Sequence, residues 1–594
     1  MKSVGKKLVR GKYFVAGALF VLVFNAFYIW RYAVPTIMHD EFGYWMSAAY
    51  FNGKCWDGIS SGISYYSYGT GIILGIFMKI FSNSVVAYRA VLVLNLALET
   101  TGYMIAYTIS KEIFHGLKPL SYMLMSVLAV SYPTYIMNTH LTWSECYLTF
   151  FIWLNIYLFI QILRKPTVIK MAGYAGNLFF LYAIHQRSIT ILAVGIVGTG
   201  YLFFTHRIKW KALIIFLVVV VILSVGHVSV KGAVKQNVWK IDEQTEQEEM
   251  PNDMNDYSGR IKVLLYALSH GGISSLLHSL VGKLYYAAMA SLGIVFPAFY
   301  FIFSKIEVFV RKKEKIERNN LAVLYIGMIF ILLLILCCLA NMEDGLSTLR
   351  MDSLIYGRYF ECSMGAVLLL GTGCLFQEQM SQRFILLMMA VMSFLSIQVY
   401  SIYINGKFDG FIGSCAGGIY YFYLKEKNYT FVFSAGLTVI TVFVMFMMLM
   451  RMKEECWHNL AIYVLIVIFC FNGKFLDKEM FHIQTNNQRI LELADKIEFL
   501  DFKAPIYCVR GSGKYTYMYL EVLQYLLADY NTEYISMEDI KDIEGECYLL
   551  LESYQEIDLN QYVVIGKNSV GWHLLVKKDG SIHEQYLLGK ERVH

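Results

Sequence analysis

The chain has 594 residues, is 57% hydrophobic and only 16% charged, whereas an ordinary soluble domain carries about a quarter charged residues. Apolar runs of about 18 residues or more, long enough to cross a bilayer, recur from Tyr13 almost to Asn472, which excludes a soluble globular protein. The net charge of +6 describes no single surface, because membrane proteins sort charge by side, and no nucleic-acid partner is expected.

Lys2, Lys6, Lys7, Arg10 and Lys12 precede the first apolar run without an acid among them, so residues 1–12 are expected to be a cytoplasmic basic N-terminus. The run from Tyr13 to Val34 is too long for a signal-peptide core and lacks a small-residue cleavage site. It is therefore read as an outward span. An outer loop follows at about 35–84, then a return span over Val85–Ile109 and a hairpin over Leu120–Met137 and Leu141–Leu163. Between Lys170 and His206 lie only about 36 residues, both ends flanked by basic residues. Two short helices of roughly 24–27 Å each fit there, meeting at His185, Gln186 and Arg187.

A span over Ala212–Val230 leads to a second outer loop at about 231–280, acidic from Asp242 to Asp256, which reads as a solvated face. Further spans are expected ending near Phe303 and over Leu321–Ala340, Cys362–Leu375, Phe384–Ile402, Phe431–Leu449 and Leu460–Phe471. That makes about thirteen membrane helices over 13–473, and the odd number carries the C-terminus outside. From Lys474 the composition is that of a soluble domain. A helix over Ile490–Phe499, strands at Pro505–Val509, Cys547–Leu551, Val563–Gly566 and Trp572–Val576, and a helix over Tyr515–Ala528 predict a small extracytoplasmic α/β domain over 474–594. The eleven cysteines contain no CxxC pair. Most lie inside apolar runs, where a thiol behaves as a small hydrophobe.

The local pattern richest in chemistry is Met38-His39-Asp40-Glu41-Phe42-Gly43-Tyr44-Trp45, just past the first span. A carboxylate there suits taking a proton from an incoming hydroxyl, or holding a divalent cation against a phosphate. The same two acids would also suit the N-terminus of a loop helix. Tyr65, Tyr66 and Tyr68 in a glycine-rich stretch suit gripping a sugar, or an interfacial aromatic belt. Glu145 near the outer end of the fourth span, Arg187 at the hairpin top and Arg358 in Tyr356-Gly357-Arg358-Tyr359 are ionisable groups at membrane depth, costly unless paired or functional. Two arginines could cradle a lipid phosphate, or Arg187 could simply pair with Glu145. His39, His185 and Tyr359 are expected to line the same site.

This order of features resembles the GT-C superfamily of integral membrane glycosyltransferases, in particular bacterial relatives of protein mannosyltransferases and of the lipid A aminoarabinose transferase. The matching elements are Asp40-Glu41, the short loop helices after it, Ser144-Glu145, His185-Gln186-Arg187 and Tyr356-Gly357-Arg358-Tyr359, together covering roughly residues 10–375. The resemblance implies a polyprenyl-phosphate sugar donor and inverting transfer outside the cell membrane to a glycan, lipid or protein. It also implies Asp40 as base; Glu41 is expected to shape the site or help bind a metal. The family's lysine-glycine pair is Arg187-Ser188 here. Few prolines and many Tyr, Ile and Lys fit a bacterial source.

Three other readings compete: a transporter or flippase for lipid-linked saccharides, a polymerase or ligase using the later loop over Arg260–Lys283, and a non-catalytic assembly protein. A transporter would bring internal repeats and polar mid-membrane helices; the chain shows no clear repeat, and its polar residues gather on the outer side instead. Gly511-Ser512-Gly513-Lys514 is no P-loop, since Cys508 and Tyr515 stand where the first glycine and the magnesium-binding hydroxyl belong.

Overall fold

The computed structural model describes the chain apart from residues 1, 30–33, 64, 240–264, 266–267, 271, 312–316, 343–350, 378–379, 406–421, 423–425, 427, 453, 510–515, 553–560, 570 and 594. The acidic stretch from Asp242 to Asp256 and the Gly511–Lys514 segment lie outside the described residues.

The helices in chain order are α1 (Lys2–Ile29), α2 (His39–Phe51), α3 (Tyr68–Ile80), α4 (Ser84–Ile113), α5 (Pro119–Val130), α6 (Pro133–Asn138), α7 (Glu145–Arg164), α8 (Val168–Ile184), α9 (Ile189–Phe204) and α10 (Trp210–Val238). There follow α11 (Gly272–Ala290), α12 (Val295–Arg311), α13 (Arg318–Ala340), α14 (Arg358–Glu361), α15 (Met364–Gln377), α16 (Gln382–Asn405), α17 (Phe431–Met450) and α18 (Glu455–Leu500). Local chemistry sets several of their starts. The Asn83 side chain accepts from the Val86 amide and caps α4, Thr167 does the same for α8, and Pro119 and Pro133 stand at first-turn positions where no backbone donor is needed. Pro133 also ends α5 as a continuous span, because its ring cannot accommodate an uninterrupted helix.

Among the described residues eight helices are long and apolar enough to cross a bilayer, or ten if two bent pairs each count once: α11–α12, folded by 113°, and the stretch Met351–Glu361 with α15, folded by 75°. Three shorter apolar helices, the Gly11–Phe27 part of α1, α5 and α8, fall where the other three of the thirteen expected spans were placed, but each has fewer than 18 residues. The fourth, α3, is the loop helix too brief to cross. α10 is the most lipid-like element, with only 11% of its apolar window buried. α3 packs on α2 and α8. A Cβ on Gly69 would come within 2.4 Å of the Ala183 backbone, so only glycine lets the loop helix approach the hairpin top this closely.

The fold departs from the sequence expectation at the C-terminal end of the membrane core. α18 runs unbroken for 46 residues, about 69 Å at 1.5 Å per residue. It joins the expected last span to the expected Ile490–Phe499 helix, so the composition change at residue 474 falls inside one rod. Beyond it come β1 (Ile506–Val509), α19 (Thr516–Leu526), β2 (Thr532–Ile535), β3 (Tyr548–Glu552), β4 (Tyr562–Lys567), β5 (Trp572–Lys577) and α20 (Ser581–Val593). The sheet order is β2-β1-β3-β5-β4, with β1 parallel to β2 and β3, and β5 antiparallel to β3 and β4. Of these, β2 and α20 were not anticipated.

The domain does not hang free. One hydrophobic core contains Phe42, Trp45 and Trp56 of the first loop together with Leu520, Leu523 and Tyr525 of α19 and Leu574 of β5. Trp45 and Tyr525 meet edge to face at 4.8 Å. The C-terminal domain and the first loop therefore lie on the same side of the bundle.

Glu41 bolts that loop down. It is fully buried. Its Oε2 accepts from Thr36 Oγ1 at 2.7 Å and the Met38 amide at 2.9 Å, and its Oε1 accepts from the Thr142 amide at 2.7 Å, Thr142 Oγ1 at 2.8 Å and Tyr88 at 3.0 Å. The loop entering α2 is held tightly enough to keep buried Ile37 at φ +32°, where a β-branched residue is strained. Glu41→Ala leaves this set of donors without an acceptor and is expected to destabilise the protein by on the order of 3 kcal/mol, read as a lower melting temperature in detergent. A Cβ at Gly58 would sit 2.4 Å from the Thr532 backbone oxygen. Gly58→Val should accordingly loosen the C-terminal domain by about 1–3 kcal/mol, seen as faster proteolytic cleavage between the core and β1.

Candidate active site

Asp40 occupies the first turn of α2, one helical position from Glu41, and that single step of about 100° sends the two carboxyls in different directions. Glu41 faces the protein interior; Asp40, 28% exposed, faces the partners that distant helices bring. Tyr66 donates to Asp40 Oδ1 at 2.6 Å, and Arg358 Nη1 donates to Asp40 Oδ2. Burial by itself would push the Asp40 carboxyl up. The Arg358 charge and the hydrogen bonds from Tyr66 and Arg358 outweigh it and hold the group below the usual aspartate range.

Arg358 is shared. Its Nε donates to Glu145 Oε1 at 2.5 Å while its guanidinium carbon lies 4.0 Å from the centre of the Trp143 ring, an additional cation–π contact. Glu145, at the start of α7, is also braced by Ser144, whose Oγ donates to Oε2 at 3.3 Å and accepts from Tyr44 at 2.7 Å. Behind Glu145 stands Arg187, fully buried in the turn between α8 and α9. Its Nη2 is 3.5 Å from Glu145 Oε1, and its guanidinium faces the Tyr359 ring at 5.4 Å. Its Nε and Nη1, both buried, have no hydrogen-bond partner among the described residues. His185 turns the chain there: its Nδ1 accepts from the Arg187 amide at 3.2 Å and its ring lies 6.2 Å from Tyr359.

Asp40, Tyr66, Glu145, His185, Arg187, Arg358 and Tyr359 thus gather in one place from five separate stretches of chain. Three expected residues point elsewhere. Tyr65 packs on Trp239 at 5.2 Å, and Tyr68 meets His227 Nδ1 at 3.0 Å, so both brace α3 and its entry against α10. Glu41 lies in the interior as described, and joint catalysis with Asp40 does not fit its geometry. His39 lies beside Asp40 but pairs through Nδ1 with Glu521 Oε1 at 2.7 Å. Sequence reasoning did not single out Glu521, Trp143 or Tyr44, since nothing marks them until the chain is folded. The donor set gives a divalent cation no cage: among the described residues no three His, Cys, Asp or Glu side chains cluster as ligands, and Asp40 and Glu145 already share a guanidinium.

The cluster sets two arginines, Arg187 fully buried and Arg358 largely so, against a partly exposed carboxylate. Such an arrangement can hold an oxyanion while the carboxylate receives a proton.

No family model and no curated protein matches the sequence. Solved structures do. ArnT from Cupriavidus metallidurans in the apo state matches with a TM-score of 0.50 at 12% identity, over 97% of this chain and 98% of that one. The same protein bound to undecaprenyl phosphate matches with a TM-score of 0.48 at 11% identity, over 96% and 98%. The Archaeoglobus fulgidus oligosaccharyltransferase tethered with an acceptor peptide reaches 0.43 at 11% identity, over 93% of this chain and 70% of that one. From the first span to the C-terminal domain, this chain shares its membrane fold with ArnT.

Proposed function

We propose that this chain transfers a sugar from a polyprenyl-phosphate donor to a hydroxyl of an extracytoplasmic acceptor, inverting the anomeric carbon. The acceptor classes are a wall polymer, a glycolipid or a protein. The observation that carries the reading is the Asp40–Arg358–Glu145–Arg187 chain of charge, ending in two buried Arg187 nitrogens with no partner among the described residues. A buried guanidinium with unused donors is stable only with an anion near it, and a phosphate matches its geometry. Outward orientation is supported by the basic N-terminus and by the contact between the C-terminal domain and the first loop.

In the proposed reaction the acceptor oxygen forms its bond to the anomeric carbon as the bond from that carbon to the phosphate oxygen breaks. The hydroxyl proton goes to Asp40, and the leaving polyprenyl phosphate keeps the bonding electrons. Arg187 and Arg358 take up its growing negative charge, an electrostatic contribution that is large in a site screened from water. The donor phosphate also competes with Asp40 for Arg358. When the guanidinium turns to the phosphate, Asp40 loses the partner that suppresses its basicity, so donor binding readies the base.

The assay is transfer of label from a radiolabelled undecaprenyl-phosphate hexose or pentose to an envelope extract by the purified protein in nanodiscs. Asp40→Asn should lower turnover by about 10³-fold or more with membrane insertion intact; wild-type turnover in that variant refutes the assignment. Arg187→Met should lower kcat/KM for the donor about 100-fold. The pH profile follows from Asp40. Because its folded value is depressed, the carboxylate stays ionised through the ordinary aspartate range near pH 4, and kcat/KM should fall only below it. Tyr66→Phe removes one cause of the depression and should move that acid limb upward.

A further inference from the structure

Glu521 lies on α19 in the C-terminal domain, 482 residues from the histidine it meets. Its side chain is 2% exposed, and its Oε2 is buried with no hydrogen-bond partner among the described residues. Other contacts also dock the domain. Trp56 Nε1 donates to the Ala528 carbonyl at 3.0 Å, Tyr525 donates to the Ser84 carbonyl at 2.8 Å, Ser84 Oγ donates to the Leu526 carbonyl at 3.1 Å, and Lys54 pairs with Asp529 at 2.5 Å. Around these runs the shared apolar core.

A buried carboxyl in such a seam lowers stability unless paired, and an apolar residue of like size would dock better. What Glu521 does instead is hold His39, the residue before Asp40. The His39 imidazole is 30% exposed and Asp40 beside it 28%. Burial favours the neutral imidazole, but the hydrogen bond and charge of Glu521, together with the charge of Asp40, hold it above its ordinary value. Burial pushes the Glu521 carboxyl up, and its bond to His39 opposes this. The pair keeps a proton between them, one residue from the proposed base.

We infer that the C-terminal domain supplies a positioning residue to the active site: Glu521 holds His39 beside Asp40, where the imidazole donates to an oxygen of the incoming acceptor. The domain then acts on acceptor binding through one side chain and leaves the donor phosphate to Arg187 and Arg358. This rests on the glycosyl-transfer reading above.

The test uses the full-length protein in nanodiscs, the radiolabelled undecaprenyl-phosphate sugars and the envelope extract as acceptor. Glu521→Gln and His39→Gln should each lower kcat/KM for the extract about 10–100-fold while the donor KM stays within about twofold of wild type. The double variant should be no worse than either single one, because the two act as a unit. Lys54→Ala, which removes an ion pair of the same interface that takes no part in the site, should leave both constants unchanged. Wild-type acceptor kinetics in Glu521→Gln overturn the inference. So does a Glu521→Gln protein that loses donor and acceptor constants together with its domain docking, judged by proteolysis. If Glu521→Gln does not fold, His39→Asn carries the same expectation and the same refutation. A wild-type protein that transfers no sugar from any of the donors overturns the glycosyl-transfer reading instead.

Discussion

Arg358 joining Asp40 to Glu145 is the contact on which the rest of this site depends. A single guanidinium bonds a carboxyl from the first loop and another from α7, so three elements far apart in the chain must be in register for either acid to be satisfied. Away from bulk water the penalty for breaking such a set is large, because the remaining charge has no solvent to replace its partner. Trp143 covers one face of the guanidinium, and Arg187 adds a second positive charge behind Glu145. The cluster carries two positive and two negative groups, balanced in sum but uneven in space: Arg187 and Glu145 are buried, and Asp40 is the most exposed of the four.

That unevenness depends on the loop being rigid. Glu41 supplies the rigidity by gathering donors from the loop itself, from α4 and from the segment before α7. The apolar core shared with the C-terminal domain covers the other side of α2. The adjacent carboxyls of Asp40 and Glu41 thus differ in surroundings, one partly exposed beside Arg358, the other buried and architectural. The difference follows from helical rotation between consecutive residues.

How much of this was legible in the sequence differs residue by residue. Glu145, Arg187 and Arg358 stood out because ionisable groups are rare at membrane depth, with flanking basic residues telling which end of each helix they occupied, and Asp40 because it belongs to an acidic pair just past the first span. Tyr65, Tyr66 and Tyr68 carried the same signal as one another, yet only Tyr66 reaches Asp40. Three closely spaced tyrosines on a bend point three ways, and composition does not say which. Glu521 was invisible for the opposite reason: it lies in an ordinary soluble-looking helix, and its partner is 482 residues away. β2, four residues long, was too short for an alternating pattern to emerge, and α18 was split because composition changes at residue 474 while helical hydrogen bonding does not.

Hydropathy and charge asymmetry are properties of short windows, and they alone established a many-helix membrane protein, the short hairpin at His185–Arg187 and a small α/β domain at the end. Contacts between segments hundreds of residues apart are not encoded in any window. The tertiary structure alone therefore decided that Arg358 would join Asp40 to Glu145, that Glu41 would turn inward, and that the C-terminal domain would press a carboxyl against the histidine next to Asp40.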